Sequence, residues 1–368
     1  MAGSYFEPPV NGANRFAHID ALRAFAVLVV VFAHAGLGHI VPGGSGVTVF
    51  FSISGFIITF LVLRERDKSG SFSIGSFYSR RVAKILPPLL VAIVIPTLIY
   101  QAWKPIIWAD FAGEIFFYYN WIKAEGGGAV LPGSGVVWSL SIEEQFYIVF
   151  ALVWMLLVKA RYWKQVLICI TVFAIFSSTL LRFLIASSDG SESSRIYYGS
   201  DTRLDGIAWG ILVAIVYHSW LRRGGAASRV ARFFGHPSSL LLAIFLYILS
   251  LAIRDDFFRD TLRFSLQSVS ACLIIVYGLM PGGGFVRSFF YRIAQSSVVS
   301  KIGLASYSIY LVHLVLMSQL YEVTKSWPMP ISLFFLVFIG VGAGYLLYTY
   351  IEVPVMRLKA RRNRSVAV

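Results

Sequence analysis

The chain has 368 residues, of which 57% are apolar and 14% charged, and its mean hydropathy is +0.73. Soluble domains carry about 25% charged residues, so this composition excludes a water-soluble body and predicts an integral membrane protein. The net charge of +14 lies in short clusters between apolar segments. Such clusters set topology and contact anionic membrane lipids, and no nucleic-acid-binding signature accompanies them, so no nucleic-acid partner is expected.

The apolar segments predict an all-α membrane protein, a bundle of about ten transmembrane helices. A shorter amphipathic segment near 109–122 is predicted to be re-entrant or interfacial. Residues 1–19 contain no apolar stretch of the signal-peptide type, so the first span is expected to act as the signal. In chain order, the predicted spans are 21–41, 47–63, 86–103, 138–158, 163–186, 203–220, 237–253, 264–280, 303–322 and 330–351.

The distribution of basic residues predicts the orientation. With ten spans and a cytoplasmic N-terminus, 22 of the 32 Lys and Arg fall in cytoplasmic segments and eight fall in outer loops. The positive-inside rule therefore favours two cytoplasmic termini. No linker or repeat divides the chain, which predicts one domain over 1–368 with a short cytoplasmic tail at 1–19 and a basic cytoplasmic tail at 355–368. The outer region 104–137 is rich in glycine and expected to be flexible.

The first span carries two ionisable residues, Arg23 and His34, eleven positions apart. On a regular α-helix this spacing puts both side chains on one face, about 16 Å apart along the axis. Charged groups within spans usually face a cavity or a partner. An arginine suits a phosphate, and a histidine suits proton abstraction from a hydroxyl. An anchoring arginine and a packed histidine would explain the same spacing, so the pair alone does not decide.

Further sequence motifs follow the first span, and their order along the chain is more informative than any single motif. After Asp20, Arg23 and His34 in the first span come SGFII at 54–58, FYSRRVAKILP at 77–87, WSLSIEEQFY at 138–147, DTRLDG at 201–206, SYSIYLVH at 306–313 and YIEVP at 350–354. Through most of its length the chain thus resembles the acyltransferase-3 family of bacterial membrane O-acyltransferases. It departs from the family at Lys84, where an arginine is usual, which keeps the charge but loses a bidentate grip on phosphate.

The resemblance implies catalytic roles. His34 is expected to be the general base, and Arg23 to contact the acyl donor. Glu143 and Glu144 lie near the outer end of the fourth span. Adjacent residues diverge by 100° on a helix, so at most one faces the same cavity as His34. That carboxylate is expected to orient the imidazole; the alternative is that both glutamates pair with arginines such as Arg203.

The resemblance also implies binding residues. Arg80, Arg81 and Lys84 are placed on the cytoplasmic loop before the third span, where they would hold the phosphates of CoA or bind lipid headgroups. Arg203 and Asp205 are expected either to shape the acceptor site or to form an internal ion-pair network, and Tyr147 and Trp138 join them as acceptor-site candidates. His313 shares a helical face with Tyr307 and Tyr310, a pattern more typical of packing than of catalysis.

The function implied is transfer of an acetyl or other short acyl group, with succinyl as an alternative, from cytoplasmic acyl-CoA to a hydroxyl. The expected acceptor is an exopolysaccharide or another envelope glycan, free or lipid-linked, at the bacterial inner membrane. No metal is expected, since the six histidines are scattered and no ligand spacing occurs. Two alternatives stay open: a multi-span transporter or channel for an anionic solute, and a relative that keeps the fold without the chemistry.

Overall fold

The computed structural model describes residues 10–11, 15–128, 130–188, 193–222 and 229–365. Two short strands, β1 (Val10–Asn11) and β2 (Arg15–Phe16), pair antiparallel. The first helices are α1 (Ala17–Phe32), α2 (Gly43–Ser69), α3 (Ile74–Leu89), α4 (Ile95–Tyr100), α5 (Trp108–Ile115), α6 (Tyr119–Ala124), α7 (Val137–Leu157), α8 (Trp163–Ala186) and α9 (Ser193–Tyr198). The others are α10 (Ser200–Arg222), α11 (Arg229–Gly235), α12 (Pro237–Ala252), α13 (Asp256–Asp260), α14 (Leu262–Leu279), α15 (Phe285–Ala294), α16 (Ser297–Thr324), α17 (Met329–Leu347) and α18 (Val353–Ser365).

Several short turns join or extend these helices. Three are π-helical, Ala33–Leu37, Leu90–Val94 and Tyr348–Glu352, and Ser134–Val136 is a 3₁₀ turn. Within the described ranges, nine helices are long and apolar enough to cross a membrane, and the pair α11–α12, bent by 53°, brings the number up to ten. The predicted all-α membrane fold with about ten spans is therefore confirmed.

The chain forms two compact units. The first comprises Met1–Ala26, Gly44–Phe72 and Leu156–Gly303, and the second comprises Val27–Gly43, Ser73–Met155 and Leu304–Val368. The single domain expected over 1–368 stays a prediction. All the predicted site residues belong to one unit or the other, so each unit is described separately.

The first unit is built around the crossing of α2 and α10. A Cβ on Gly55 would lie 2.0 Å from the carbonyl oxygen of Ile207, and one on Gly210 would lie 2.1 Å from the carbonyl oxygen of Ser52. Only glycines allow two helix backbones to approach this closely. Aromatic and aliphatic residues of α1, α2, α10 and α14, including Phe56 and Tyr217, fill the surrounding core.

The second unit has its own apolar core. Leu89, Leu140 and Leu311 are buried in it, together with residues of the π-helical turn after α3. α17 crosses α16 closely, because a Cβ on Gly344 would lie 2.3 Å from the Cα of Ile309. The core therefore brings α3, α7, α16 and α17 together.

Two predicted boundaries differ from the structure. The helix expected to start at 86 begins at Ile74, where the Ser73 side chain accepts a hydrogen bond from the Ser76 amide and caps it. The hydropathy pattern did not predict the part of α3 before residue 86, because it is rich in polar residues. The expected C-terminal tail at 355–368 is helical in α18 as far as Ser365. Of the expected tail at 1–19, residues 17–19 already belong to α1, and 1–9 and 12–14 lie outside the described residues.

The segment near 109–122 forms α5 and α6, and neither is long enough to span a membrane. Glu114 in α5 is 1% exposed, and within the described residues neither carboxylate oxygen has a hydrogen-bond partner of ordinary geometry. Burial raises the pKa of Glu114 to about 7; the nearby Ser134 hydroxyl lowers it and the Asp110 carboxylate raises it further. Below about pH 7 the folded protein therefore holds Glu114 mainly in its protonated form.

We expect Glu114 to make the protein less stable as the pH rises. Its pKa is raised on folding, so the folded state binds more protons between the ordinary value of 4.5 and about 7, and stability falls across that window. The loss is on the order of 3 kcal/mol. The melting temperatures of wild type and Glu114→Gln should diverge from pH 5 to pH 7 and then run parallel. A difference that does not change with pH would contradict the assignment.

Candidate active site

The predicted base His34 lies in the π-helical turn Ala33–Leu37 at the end of α1. Gly36 in this turn has a φ of 124°, which side chains with a Cβ rarely adopt, so the regular helix ends beside His34. Single π-helical turns occur frequently at functional sites. His34 is exposed, whereas Ala33 and Ala35 on either side of it are buried. The turn therefore presents the imidazole outward from a packed backbone.

The partner of His34 is His313 of α16. The Nδ1 atom of His34 lies 2.9 Å from the Nε2 atom of His313, and the two rings stack with centroids 5.1 Å apart. His313 is fully buried. Its Nδ1 lies 3.1 Å from the carbonyl oxygen of Ile309 and 2.8 Å from that of Tyr310. The His313 ring is therefore fixed to the backbone of α16. The His34 ring stacks on it, and no hydrogen bond among the described residues engages Nε2 of His34.

The surroundings of His313 come from α7, α16 and α17. A Cβ on Gly340 of α17 would lie 3.1 Å from the Cβ of His313, so the two helices meet at this residue. The Tyr310 hydroxyl lies 2.7 Å from the Ser139 hydroxyl and 3.2 Å from the carbonyl oxygen of Val136. These contacts hold the turn of α16 that carries His313 against the start of α7.

A second polar group joins α3 and α7. The Arg81 guanidinium lies 3.4 Å from the Glu144 carboxylate and 3.0 Å from the centroid of the Tyr147 ring. Both charged side chains are largely buried, at 17% and 12% exposed. Glu144 lies about 10 Å from the start of α7, inside a span. The sequence had placed Arg81 on a cytoplasmic loop, but the early start of α3 puts it within a helix.

Glu143 points away from Glu144 and has a different partner. The Tyr147 hydroxyl donates to the Glu143 carboxylate over 3.0 Å, and the Tyr78 hydroxyl donates to the carbonyl oxygen of Tyr147 over 3.2 Å. Tyr147 and Trp138 are 3% and 6% exposed, so both are embedded in the second unit. Glu144 thus joins α7 to α3, Glu143 is bonded to Tyr147 within α7, and the imidazole that meets His34 is His313. The expected role of the two glutamates toward His34 stays a prediction.

The cations Arg80 and Lys84 lie on α3, and not on the predicted loop. Arg80 is exposed and Lys84 is half-buried. Residues four apart are neighbours on a helix surface, so their side chains leave α3 on the same side. Arg80 is thus more exposed than Arg81, whose guanidinium is stacked on an aromatic ring.

Two predicted acceptor residues, Arg203 and Asp205, lie buried in the first unit, each 1% exposed. Asp205 accepts two hydrogen bonds of 2.8 Å from the Arg182 guanidinium. Arg203 donates to the Thr48 hydroxyl over 2.9 Å and lies 3.9 Å from the centroid of the Phe264 ring. Of the two alternatives drawn from the sequence, this geometry favours the internal network.

Arg23 is half-buried in α1 and belongs to the first unit, whereas His34 belongs to the second. Their predicted common face assumed a regular helix through His34, but the turn from Ala33 onward is π-helical. The role of Arg23 in donor binding stays a prediction from the motif.

Sequence reasoning assigned His313 to packing, and the structure places it on the predicted base. The two histidines are 279 positions apart, so no local spacing could have paired them. The sequence did contain one indication of this contact: Tyr310 and His313, both buried, are three positions apart and therefore share one helical face. That pattern does not reveal which distant residue the histidine meets.

Comparisons with known proteins agree with the motif series. The family model described as an acyltransferase domain, acyltransferase-3, matches residues 16–349. No solved structure matches the chain significantly.

Among curated relatives, SAR0937 of Staphylococcus aureus strain MRSA252, provisionally named an O-acetyltransferase, is 29% identical over 94% of this chain and 58% of the relative. The O-acetyltransferase OatA of Staphylococcus aureus strain NCTC 8325 is 25% identical over 92% of this chain and 57% of the relative. The chain thus spans less than two thirds of the length of these relatives.

Proposed function

Because the chain belongs to the acyltransferase-3 family, we propose that it is a membrane O-acyltransferase that moves a short acyl group from acyl-CoA to a hydroxyl. Acetyl is the proposed group, with succinyl as an alternative. The proposed acceptor is an exopolysaccharide or another envelope glycan, and CoA is proposed to enter from the cytoplasmic side of a bacterial inner membrane. The O-acetyltransferase names of the relatives support the acetyl choice.

The observation that carries this proposal is the exposed His34 imidazole on its buried partner. Its Nδ1 is engaged by His313, and within the described part of the chain no residue hydrogen-bonds its Nε2. A ring held in this way is suited to general-base chemistry, because the base must be fixed in orientation and open at one nitrogen. The chemistry therefore centres on the end of α1.

The proposed reaction is a direct transfer. Nε2 of His34 takes the proton of the acceptor hydroxyl as the oxygen forms a bond to the thioester carbonyl carbon. The carbon–sulfur bond breaks, and the CoA thiolate takes the proton from His34. The products are an ester and free CoA thiol, and the histidine returns to its starting state. The thioester supplies the driving force.

The donor end of the proposed site draws on α3. Arg80 and Lys84 lie on one side of this helix, and their cationic groups are proposed to hold phosphate groups of CoA. Arg81 is proposed to act indirectly, since its guanidinium is engaged by Glu144 and Tyr147. Membrane lipids are expected to surround the apolar helices.

We expect His34→Ala to remove an ester from the envelope glycan of cells that produce the protein. Loss of a general base lowers a rate about 10²–10⁴-fold, so the substituent should nearly vanish at equal membrane levels. Mass spectrometry of the glycan reads the change, and the lost mass distinguishes acetyl from succinyl. The matched control is His39→Ala, since His39 is an exposed histidine in the turn just after Ala33–Leu37. Unchanged esters in the glycan and lipid fractions of the His34→Ala strain would contradict the proposal.

A further inference from the structure

The hydrogen bonds of His313 fix which of its nitrogens carries a proton. Nδ1 faces two backbone carbonyl oxygens, those of Ile309 and Tyr310, at 3.1 Å and 2.8 Å. Carbonyl oxygens only accept hydrogen bonds, so Nδ1 must carry the hydrogen. A neutral imidazole has one N–H, which leaves Nε2 of His313 as an acceptor. No carboxylate among the described residues pairs with this fully buried ring, so the neutral form is the one that fits.

The tautomer of His34 follows from that of His313. The two rings share a hydrogen bond of 2.9 Å between Nδ1 of His34 and Nε2 of His313. Because Nε2 of His313 is the acceptor, Nδ1 of His34 must be the donor. The single N–H of neutral His34 is then used, and its lone pair is on Nε2. This nitrogen has no hydrogen-bond partner among the described residues, and it is the one that general-base catalysis needs.

We propose that His313 is a positioning residue of the transferase, which sets the tautomer of His34 and shares its charge during the reaction. This inference rests on the proposed function, because His34 must be the base for its tautomer to matter. Sequence motifs assigned no such role to His313. The chain of contacts runs from the carbonyls of α16 through His313 to His34.

The charge that His34 and His313 share comes from a single proton. When Nε2 of His34 takes the hydroxyl proton, its ring becomes an imidazolium with hydrogens on both nitrogens. The bond from Nδ1 to Nε2 of His313 is then charge-assisted, and such bonds are shorter and stronger than neutral ones. If that hydrogen crosses to His313, His34 becomes neutral again and the charge sits on a ring already bound to two carbonyl oxygens. The reverse steps return the proton to the CoA thiolate.

The neighbours of His313 on α7 and α17 carry no charge. α17 meets it through Gly340, which carries no side chain, and α7 contributes the Ser139 hydroxyl through Tyr310. Both are uncharged. The imidazole of His34 is thus the one titratable group of another element seen to contact His313 within the described residues.

The chain offers a matched pair of substitutions at position 313. In His313→Gln the amide reaches the place of Nε2, where its oxygen accepts from His34. In His313→Asn the amide reaches the place of Nδ1, which keeps a donor to the backbone carbonyls and loses the bond to His34. A positioning role predicts that the glutamine variant keeps transfer within about tenfold of wild type, whereas the asparagine variant loses about 100-fold or more.

The transfer assay uses permeabilised membranes of the producing cells with radiolabelled acetyl-CoA, so that the native acceptor is present. Label in the glycan is counted for each variant at equal protein level. If the asparagine variant is as active as the glutamine variant, His313 serves packing alone and the proposal is wrong. A melting temperature for each purified variant separates loss of folding from loss of positioning.

A spectroscopic measurement tests the tautomer without turnover. Long-range ¹H–¹⁵N correlation on ¹⁵N-histidine-labelled protein distinguishes a bare ring nitrogen from a protonated one, and the six histidines are assigned with His34→Gln and His313→Gln. We expect a bare Nε2 on His34 in wild type and a mixed population in His313→Asn. A protonated Nε2 in wild type would overturn the proposal. If wild-type membranes transferred no label from acetyl-CoA and none from succinyl-CoA, the proposed function would fail, while the spectrum would still decide the tautomer.

Discussion

Replacing Arg182 by methionine is expected to cause a large loss of stability in the first unit. Arg182 is fully buried and donates hydrogen bonds to Asp205, to the carbonyl oxygen of Thr261 over 2.9 Å and to the Ser265 hydroxyl over 2.8 Å. Its removal leaves a buried carboxylate without its cation, which costs about 3–5 kcal/mol. Thermal unfolding of the purified protein in detergent measures the loss.

The matched control removes both partners. In Arg182→Met/Asp205→Leu neither member of this ion pair is left without the other, so the double variant should recover more than half of the lost stability. Acyl transfer by the double variant then tests the acceptor role that the sequence allowed for Asp205. Retained transfer would show that Asp205 serves only the internal network. A double variant no more stable than Arg182→Met would contradict the pairing of Arg182 with Asp205.

The two adjacent arginines of α3 are expected to respond differently to substitution by alanine. Arg80→Ala should raise KM for acyl-CoA about tenfold or more, since a charged hydrogen bond is worth about 1.5–3 kcal/mol, and should lower the melting temperature less than Arg81→Ala does. Arg81→Ala should lower the melting temperature, because Glu144 loses its cation and Tyr147 loses the guanidinium stacked on it. Transfer kinetics and thermal unfolding, measured on both variants, separate these effects.

Lysine at position 81 provides the control for charge. Arg81→Lys keeps the positive charge but loses the planar stacking on Tyr147, so its melting temperature should fall between those of wild type and Arg81→Ala. Equal effects of alanine at positions 80 and 81 on KM, with no change in stability, would show that both arginines bind the donor directly. That result would restore the role that the motif gave to Arg81.

The sequence predicted the helices well because lipid-facing segments must be apolar along their whole length. It misjudged α3 because the first turns of that helix carry Arg80, Arg81 and Lys84. A hydropathy pattern reads such residues as a loop, although their backbone is capped by Ser73 and already helical. Hydropathy therefore locates the apolar part of a span better than its polar ends.

The candidate site was predicted only in part. The motifs singled out His34, Glu143 and Glu144, but they could not say that His34 meets His313 or that Glu144 meets Arg81. Both contacts join residues far apart in the chain, at separations of 279 and 63 positions. Such pairings depend on how helices cross, and that depends on close approaches such as Gly340 against His313.

The region rich in glycine before α7 was expected to be flexible, but its glycines differ in their surroundings. A Cβ on Gly126 or Gly128 would meet nothing within 4 Å. Gly133 has a φ of 90°, and a Cβ there would lie 2.4 Å from the carbonyl oxygen of Leu314, the residue after His313. Composition alone did not distinguish a loop position in open space from one in contact with a helix.

The contact of Gly133 with α16 has a consequence for how this protein could change over time. A side chain at Gly128 would meet no neighbour within 4 Å, so this position is free to vary. At Gly133 any larger side chain would press on the backbone beside His313 and thereby on the proposed base. A position that can vary and one that must stay glycine are thus only five residues apart.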